Sequence, residues 1–217
     1  MKKFLCMLLA MILVPLSCLA VGEVDGKKME DYSPLYALTN AHGFKMGGCF
    51  SLNQLKDSRY LDFMKLHFDS ITCTNETKAY SLLDQKASQA AQDGMPVMNY
   101  WAADQMIQWA QDNNIKVRGH VLVWDAYMSD WFFREGYKND GAYADQETMR
   151  ARTKYYIEQV VTHFEEKFPG TVYCWDVVNE AIGDNANEWD AKDARHLRTI
   201  RSGVDNLFKT YVGDDYV

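Results

Sequence analysis

Three stretches of the chain end an apolar run in groups that can do chemistry. Asn75-Glu76-Thr77-Lys78 follows one run, His120 and Trp124-Asp125 lie in and after another, and Asn179-Glu180 closes a third. Together they offer amides, an ammonium, an imidazole, an indole and a carboxyl. An indole face stacks on the apolar face of a pyranose ring, while Asn75, Lys78, His120 and Asn179 supply hydrogen bonds for its hydroxyls. A carboxyl such as Glu180, beside an apolar strand, can have its pKa raised far enough to donate a proton. Each group also has a plainer reading. The Asn179-Glu180 pair could cap a helix, His120 could be a satisfied core histidine, Trp124 and Trp131 could be packing, and Lys78 could be a solvated charge. Their shared position, at or just past the ends of successive apolar runs, favours a common site.

The elements that would position these groups alternate in type. Short apolar runs at Phe44–Phe50, Phe68–Cys73, Ile115–Trp124 and Thr171–Val178 read as strands. They are continuous instead of alternating, as in parallel sheets buried on both faces. Between the second and third, Ala102, Met106, Trp109 and Ala110 form one helical stripe that Asn113-Asn114 can close. Between the third and fourth, Ile157, Val160, Val161, Phe164 and Phe168 repeat that stripe up to Pro169-Gly170. A last helix is predicted around Val204 to Tyr211. The class is α/β with a parallel sheet, and sites in such folds gather at the carboxyl ends of the strands. No GxGxxG or P-loop follows any strand, which argues against nucleotide-binding folds.

Composition narrows the setting. The chain has 217 residues, 47% hydrophobic, enough for one well-buried core, and a formal charge of -7 that disfavours nucleic acid as a partner. Residues 1–20 read as a secretory signal, with Lys2-Lys3, the apolar run Phe4–Val14, and the small-residue ending Cys18-Leu19-Ala20. A secreted protein is expected, with no membrane association after cleavage. Ser17-Cys18 lacks the leucine of a lipoprotein box. Residues 21–43 read as a polar leader. Cys49, Cys73 and Cys174 are an odd number in apolar settings and read as small core residues, without a disulfide framework. No CxxC, HExxH or His/Cys cluster points to a metal.

Gly119-His120-Val121-Leu122-Val123-Trp124 resembles the G-H-x-L-V-W signature of the family-10 endo-β-1,4-xylanases, and Trp175-Asp176-Val177-Val178-Asn179-Glu180-Ala181 resembles their W-D-V-V-N-E-A signature. Asn75-Glu76-Thr77-Lys78 is similar to their N-E-M-K. The resemblance runs from about Phe44 to the end of the chain. It implies a (β/α)₈ TIM barrel, with about the first four βα units in residues 44–217, and hydrolysis of internal β-1,4 bonds of xylan with retention of configuration. It implies Glu180 as the general acid/base and Asn179 as the amide on the sugar 2-hydroxyl. Asn75, Lys78, His120 and Trp124 would line the glycone subsites, and no cofactor is needed. Glu180 is expected in a poorly solvated place, protonated up to roughly pH 6 or 7.

The departures carry expectations too. Thr74 stands where the family has Glu, Ala79 where it has Trp, and Trp124-Asp125-Ala126-Tyr127 replaces W-H-x-Q. A retaining glycosidase needs a second carboxylate about 5 Å from the first. The family carries it after a later strand, and Glu188, Asp190 and Asp193 lie in a polar stretch too close to Glu180. The chain is therefore expected to be the amino-terminal half of a longer enzyme, with little or no turnover alone. Two alternatives stand beside this reading: another barrel β-glycanase, or a carbohydrate-binding remnant without turnover.

Overall fold

The computed structural model describes residues 26–217. The expected signal (1–20) and the first part of the leader lie outside the described residues. Four strands, β1 (Gly47–Phe50), β2 (Ser70–Cys73), β3 (Lys116–Val123) and β4 (Val172–Val178), pair in that spatial order and all run parallel. All four predicted strands are present, trimmed at their ends. A helix α1 (Leu35–Asn40) precedes β1, within the stretch read as leader.

Helices cross between the strands. The first is α2 (Ser58–His67), which starts where Asp57 accepts the Tyr60 N–H at 3.2 Å. Two short helices, α3 (Ala79–Leu82) and α4 (Gln85–Ala90), follow the end of β2. They lead to α5 (Trp101–Asp112), which buries Ala103, Met106, Ile107 and Ala110 and stops at Asn113-Asn114, with Asn114 at φ 55°. The long α6 (Gln146–Lys167) begins with Asp145 accepting the Thr148 N–H at 2.7 Å. It buries Met149, Tyr156, Val160 and Phe164 and ends just before Pro169-Gly170. The core joins these helix faces to Ile71, Val117, Leu122 and Val123 of the sheet. Among the described residues no helix is long and apolar enough to cross a membrane.

One contact explains the glycine that opens the G-H-x-L-V-W stretch. Gly119 pairs with Trp175 across β3 and β4, and a Cβ at 119 would fall 2.3 Å from the Trp175 ring. Without a side chain there, the indole lies flat over β3 and meets Phe164 of α6 at 5.8 Å between ring centroids. That packing turns Asp176 toward the opposite face, where it pairs with His120.

Three expectations are corrected. Burial on both faces holds for β2 but not for β1, where Gly47 and Cys49 are exposed, or for β4, where Tyr173, Cys174 and Val177 are exposed. Among the described residues β4 has a strand neighbour on one edge only. Cys73 is buried, but Cys49 and Cys174 are exposed, so the core reading holds for one cysteine of three. The predicted last helix is present only in its second half, as a π-helical turn at Phe208–Val212, while its first residues belong to a hairpin of β5 (Ile200–Arg201) and β6 (Val204–Asp205). Ser202 and Gly203 both take positive φ, at 49° and 83°, which folds the chain back where a helix would have continued.

Candidate active site

The end of β2 forms one wall of the rim. Glu76 is buried and accepts the Leu52 N–H at 2.7 Å and the Asn75 N–H at 3.0 Å, tying the segment after β1 to the segment after β2. The Thr77 hydroxyl donates to the His120 carbonyl at 2.6 Å, which ties the same segment to β3. Lys78 then projects its ammonium onto Asn75 Oδ1 at 3.0 Å and over two rings, Tyr127 at 4.0 Å and Trp124 at 5.1 Å. Burial lowers the Lys78 pKa below its ordinary value, and the nearby Glu76 carboxylate opposes the shift.

His120 and Trp124 come from β3. His120 Nδ1 sits 2.8 Å from Asp176 Oδ2, and Arg118 donates to the other oxygen of that carboxylate at 2.9 Å. The Asp176 carboxylate accepts from Nδ1–H and fixes the orientation of the ring, with Nε2 on the side away from Asp176. Trp124 stands edge-on to His120 at 5.7 Å and tilted on Tyr127 at 4.4 Å, so three aromatic rings and the Lys78 ammonium share one surface.

Asn179 and Glu180 follow β4. The Asn179 N–H donates to the Val123 carbonyl at 2.9 Å, which extends the β3–β4 pairing to the rim. Glu180 has φ 52°, a left-handed conformation that costs a side-chain-bearing residue energy and needs outside support. The support is Arg198, almost fully buried. It donates to the carbonyls of Glu180 at 3.1 Å and Ile182 at 2.9 Å, and pairs with Asp184 and Glu188. The Glu180 carboxyl reaches back over the rim. Its Oε2 accepts the Trp124 indole N–H at 3.1 Å and faces Arg201 Nη1 at 2.7 Å. Arg201 is held in turn by Asp125, through Nε and Nη2 at 2.9 Å each. Its pKa is raised, first by the Asp125 hydrogen bond, with Glu180 adding to it.

Glu180 is thus not in the poorly solvated place expected of it. Its side chain is 43% exposed and ion-paired. The carboxyl lies past the end of β4, beyond the packed part of the sheet, and polar contacts rather than apolar walls hold it. The structure brings Asn75, Lys78, His120 and Trp124 together on one surface and joins Glu180 to it through Trp124. Asp176, Tyr127, Arg198 and Arg201 were not singled out from the sequence as site residues. One signal for Arg201 was available: an acid, Asp125, directly after an apolar strand demands a cationic partner if it is buried. Beside Asp125 a cavity of about 410 Å³ opens between the segment after β3 and the hairpin, lined by Met128, Tyr143 and Leu207 among others. A separate hollow of about 520 Å³ lies away from these groups, along the outer face of α5 beside Trp101 and Trp109.

Parallel strands joined by crossover helices, with polar and aromatic side chains gathered at the strands' carboxyl ends, define a site of the α/β type, placed where barrels and open parallel sheets both carry theirs. Residues 35–217 match glycosyl hydrolase family 10, and the chain belongs to that family. Endo-1,4-beta-xylanase A of Butyrivibrio fibrisolvens is 28% identical over 211 residues, which cover 88% of this chain and 50% of that protein. Endo-1,4-beta-xylanase A of Thermotoga maritima is 37% identical over 142 residues, 65% of this chain and 12% of that protein. Among solved structures, the CBM22-1 and GH10 modules of a Clostridium thermocellum endo-1,4-beta-D-xylanase complexed with xylohexaose give a TM-score of 0.75 at 26% identity, over 85% of this chain and 36% of that one. The chain spans half or less of the length of each of these relatives. Its four parallel strands, with the helices that cross between them, are part of the (β/α)₈ barrel of the family.

Proposed function

We propose that this chain carries the acid/base half of an endo-1,4-β-xylanase that cleaves internal bonds of xylan with retention of configuration. One observation carries the reading: the Glu180 carboxyl stands beside a ring-and-ammonium surface made by Trp124, Tyr127, Lys78 and His120, with Oε2 held and no partner on Oε1 among the described residues. In the first step Glu180 gives its proton to the glycosidic oxygen as the carbon–oxygen bond breaks, and the bonding pair stays on that oxygen. A second carboxylate, which the family supplies after a later strand, attacks the sugar carbon. In the second step the Glu180 carboxylate takes a proton from the water that releases the sugar. Asn75, Lys78 and His120 bind hydroxyls on the glycone side, Trp124 stacks on a ring there, and Asn179 meets the 2-hydroxyl at the scissile bond. Export through residues 1–20 belongs to the same proposal, and a mature amino terminus at Val21 by mass spectrometry would bear on it.

The test is release of reducing ends from xylan, with cellulose and barley glucan alongside to separate other β-glycanases. Glu180→Gln is expected to cut xylan hydrolysis by about 10²- to 10⁴-fold, and an unchanged rate would remove Glu180 from the mechanism. The Arg201 ion pair and the exposure of Glu180 favour a second reading, carbohydrate binding without turnover. Retardation in a xylan-containing gel with no released ends would select it.

A further inference from the structure

We propose that Arg201, oriented by Asp125, is a positioning residue that fixes which oxygen of Glu180 faces the glycosidic bond. The proposal deepens the reading of Glu180 as proton donor and rests on it. Arg201 engages all three of its guanidinium nitrogens: Nε and Nη2 meet the two oxygens of Asp125, and Nη1 points at Glu180 Oε2. The Asp125 side chain is only 7% exposed, so the anchoring carboxylate is itself fixed, and with it the direction of Nη1. Trp124, the residue before Asp125, sends its indole N–H to the same Oε2. Two donors from two elements therefore occupy one oxygen, and Oε1 is left to the substrate.

Oε2 can accept both hydrogen bonds in either form of the carboxyl. In the carboxylate, Oε2 accepts from the guanidinium and the indole. In the acid, Oε2 is the carbonyl oxygen and still accepts both, so the proton must sit on Oε1, the oxygen aimed away from the clamp. The clamp selects the oxygen that carries the proton without taking part in the transfer. It also depends on this chain's own sequence, because Asp125 occupies the position where the resembling signature has His. The hairpin that delivers Arg201 is held by the Ile200–Asp205 and Arg201–Val204 pairs, and Asn206 Nδ2 donates to the Arg198 carbonyl at 3.0 Å. One short segment thus fixes both the backbone of Glu180, through Arg198, and its carboxyl, through Arg201.

The experiment uses the full chain in two arms. In the first, ¹⁵N relaxation of the Arg201 Nε, assigned with Arg201→Lys, is expected to give an order parameter of about 0.85, falling below about 0.6 in Asp125→Asn while circular dichroism shows both folded. A wild-type value already below about 0.6 overturns the clamp whether or not the chain turns substrate over. In the second arm, Arg201→Ala and Asp125→Asn are expected to lose at least about 10-fold more kcat on xylan, whose leaving group needs a proton, than on 2,4-dinitrophenyl β-xylobioside, whose leaving group does not. KM should stay within about 2-fold, and Arg201→Lys should not restore kcat, because an ammonium cannot bridge both carboxylates. Equal losses on the two substrates overturn the positioning role. Where the wild-type chain hydrolyses neither substrate, as expected of the acid/base half alone, the first arm decides, and a rigid Arg201 that loosens in Asp125→Asn sustains the clamp.

Discussion

The rim after β2 and the rim after β4 are built by different physics. After β2, Glu76, Thr77, Lys78 and Ala79 are all less than a tenth exposed, and they sit where the core and its hydrogen bonds put them. After β4, Glu180 is 43% exposed, and two arginines from a later segment hold it, one by its carbonyl and one by its carboxyl. The first wall is fixed by burial and the second by charge. A barrel rim can therefore combine a binding surface set by packing with a reacting group set by ion pairs, and the two should fail in different ways.

Arg198→Ala should have the largest effect. It leaves Glu188 without its cationic partner and removes the donor from two carbonyls, a loss of about 3 kcal/mol in denaturant melts. Hydrogen exchange should quicken across 181–200 and leave 74–79 unchanged, and loosening of both segments would erase the distinction between the walls. Asp176→Asn should come next. It removes the carboxylate charge that orients His120 and pairs with Arg118, and xylo-oligosaccharide binding by calorimetry should weaken about 10-fold with little change in melting temperature.

Lys78→Met sharpens the contrast through pH. Burial lowers the folded-state pKa of Lys78, so between that value and its ordinary 10.5 the unfolded chain binds the extra proton and stability rises with pH. Urea midpoints of the native chain should climb as pH approaches 10.5, and the Met variant should lose that component of the climb while losing sugar affinity. Asp145→Ala, at the start of α6 and away from both walls, should do least. The Thr148 backbone hydrogen bond holds the Asp145 pKa below its ordinary value, so its contribution is present at neutral pH and disappears as pH falls through the lowered pKa. Midpoints at pH 7 should drop slightly, the native and variant chains should converge in acid, and sugar binding should not change.

Much of the scaffold was legible because its signals are local. Four apolar runs became four parallel strands, and α5 and α6 stop at the Asn113-Asn114 and Pro169-Gly170 breaks read from the sequence. The helix predicted at Val204–Tyr211 holds only in its second half, as the π-helical turn Phe208–Val212, because Ser202-Gly203, a turn dipeptide, governs its start more strongly than the apolar spacing does. At the site, Asn75, Lys78, His120 and Trp124 were readable because each lies at or near the end of a strand. Asp176 was not, because a lone acid inside a strand gives no sign of which face it serves until the flat packing of Trp175 over Gly119 turns it toward His120. Arg198 and Arg201 were not, because no motif links them to Glu180 across some twenty residues.

The sequence by itself determined the order of strands and helices, the family and the identity of the groups at the strand ends, since apolar periodicity, breakers and signature residues act over a few neighbours. Only the tertiary structure decided how Glu180 is held. Its solvation and its ion pairs depend on which distant side chains fold back over the rim, and a contact between the ends of β3, β4 and a later hairpin has no counterpart in local spacing.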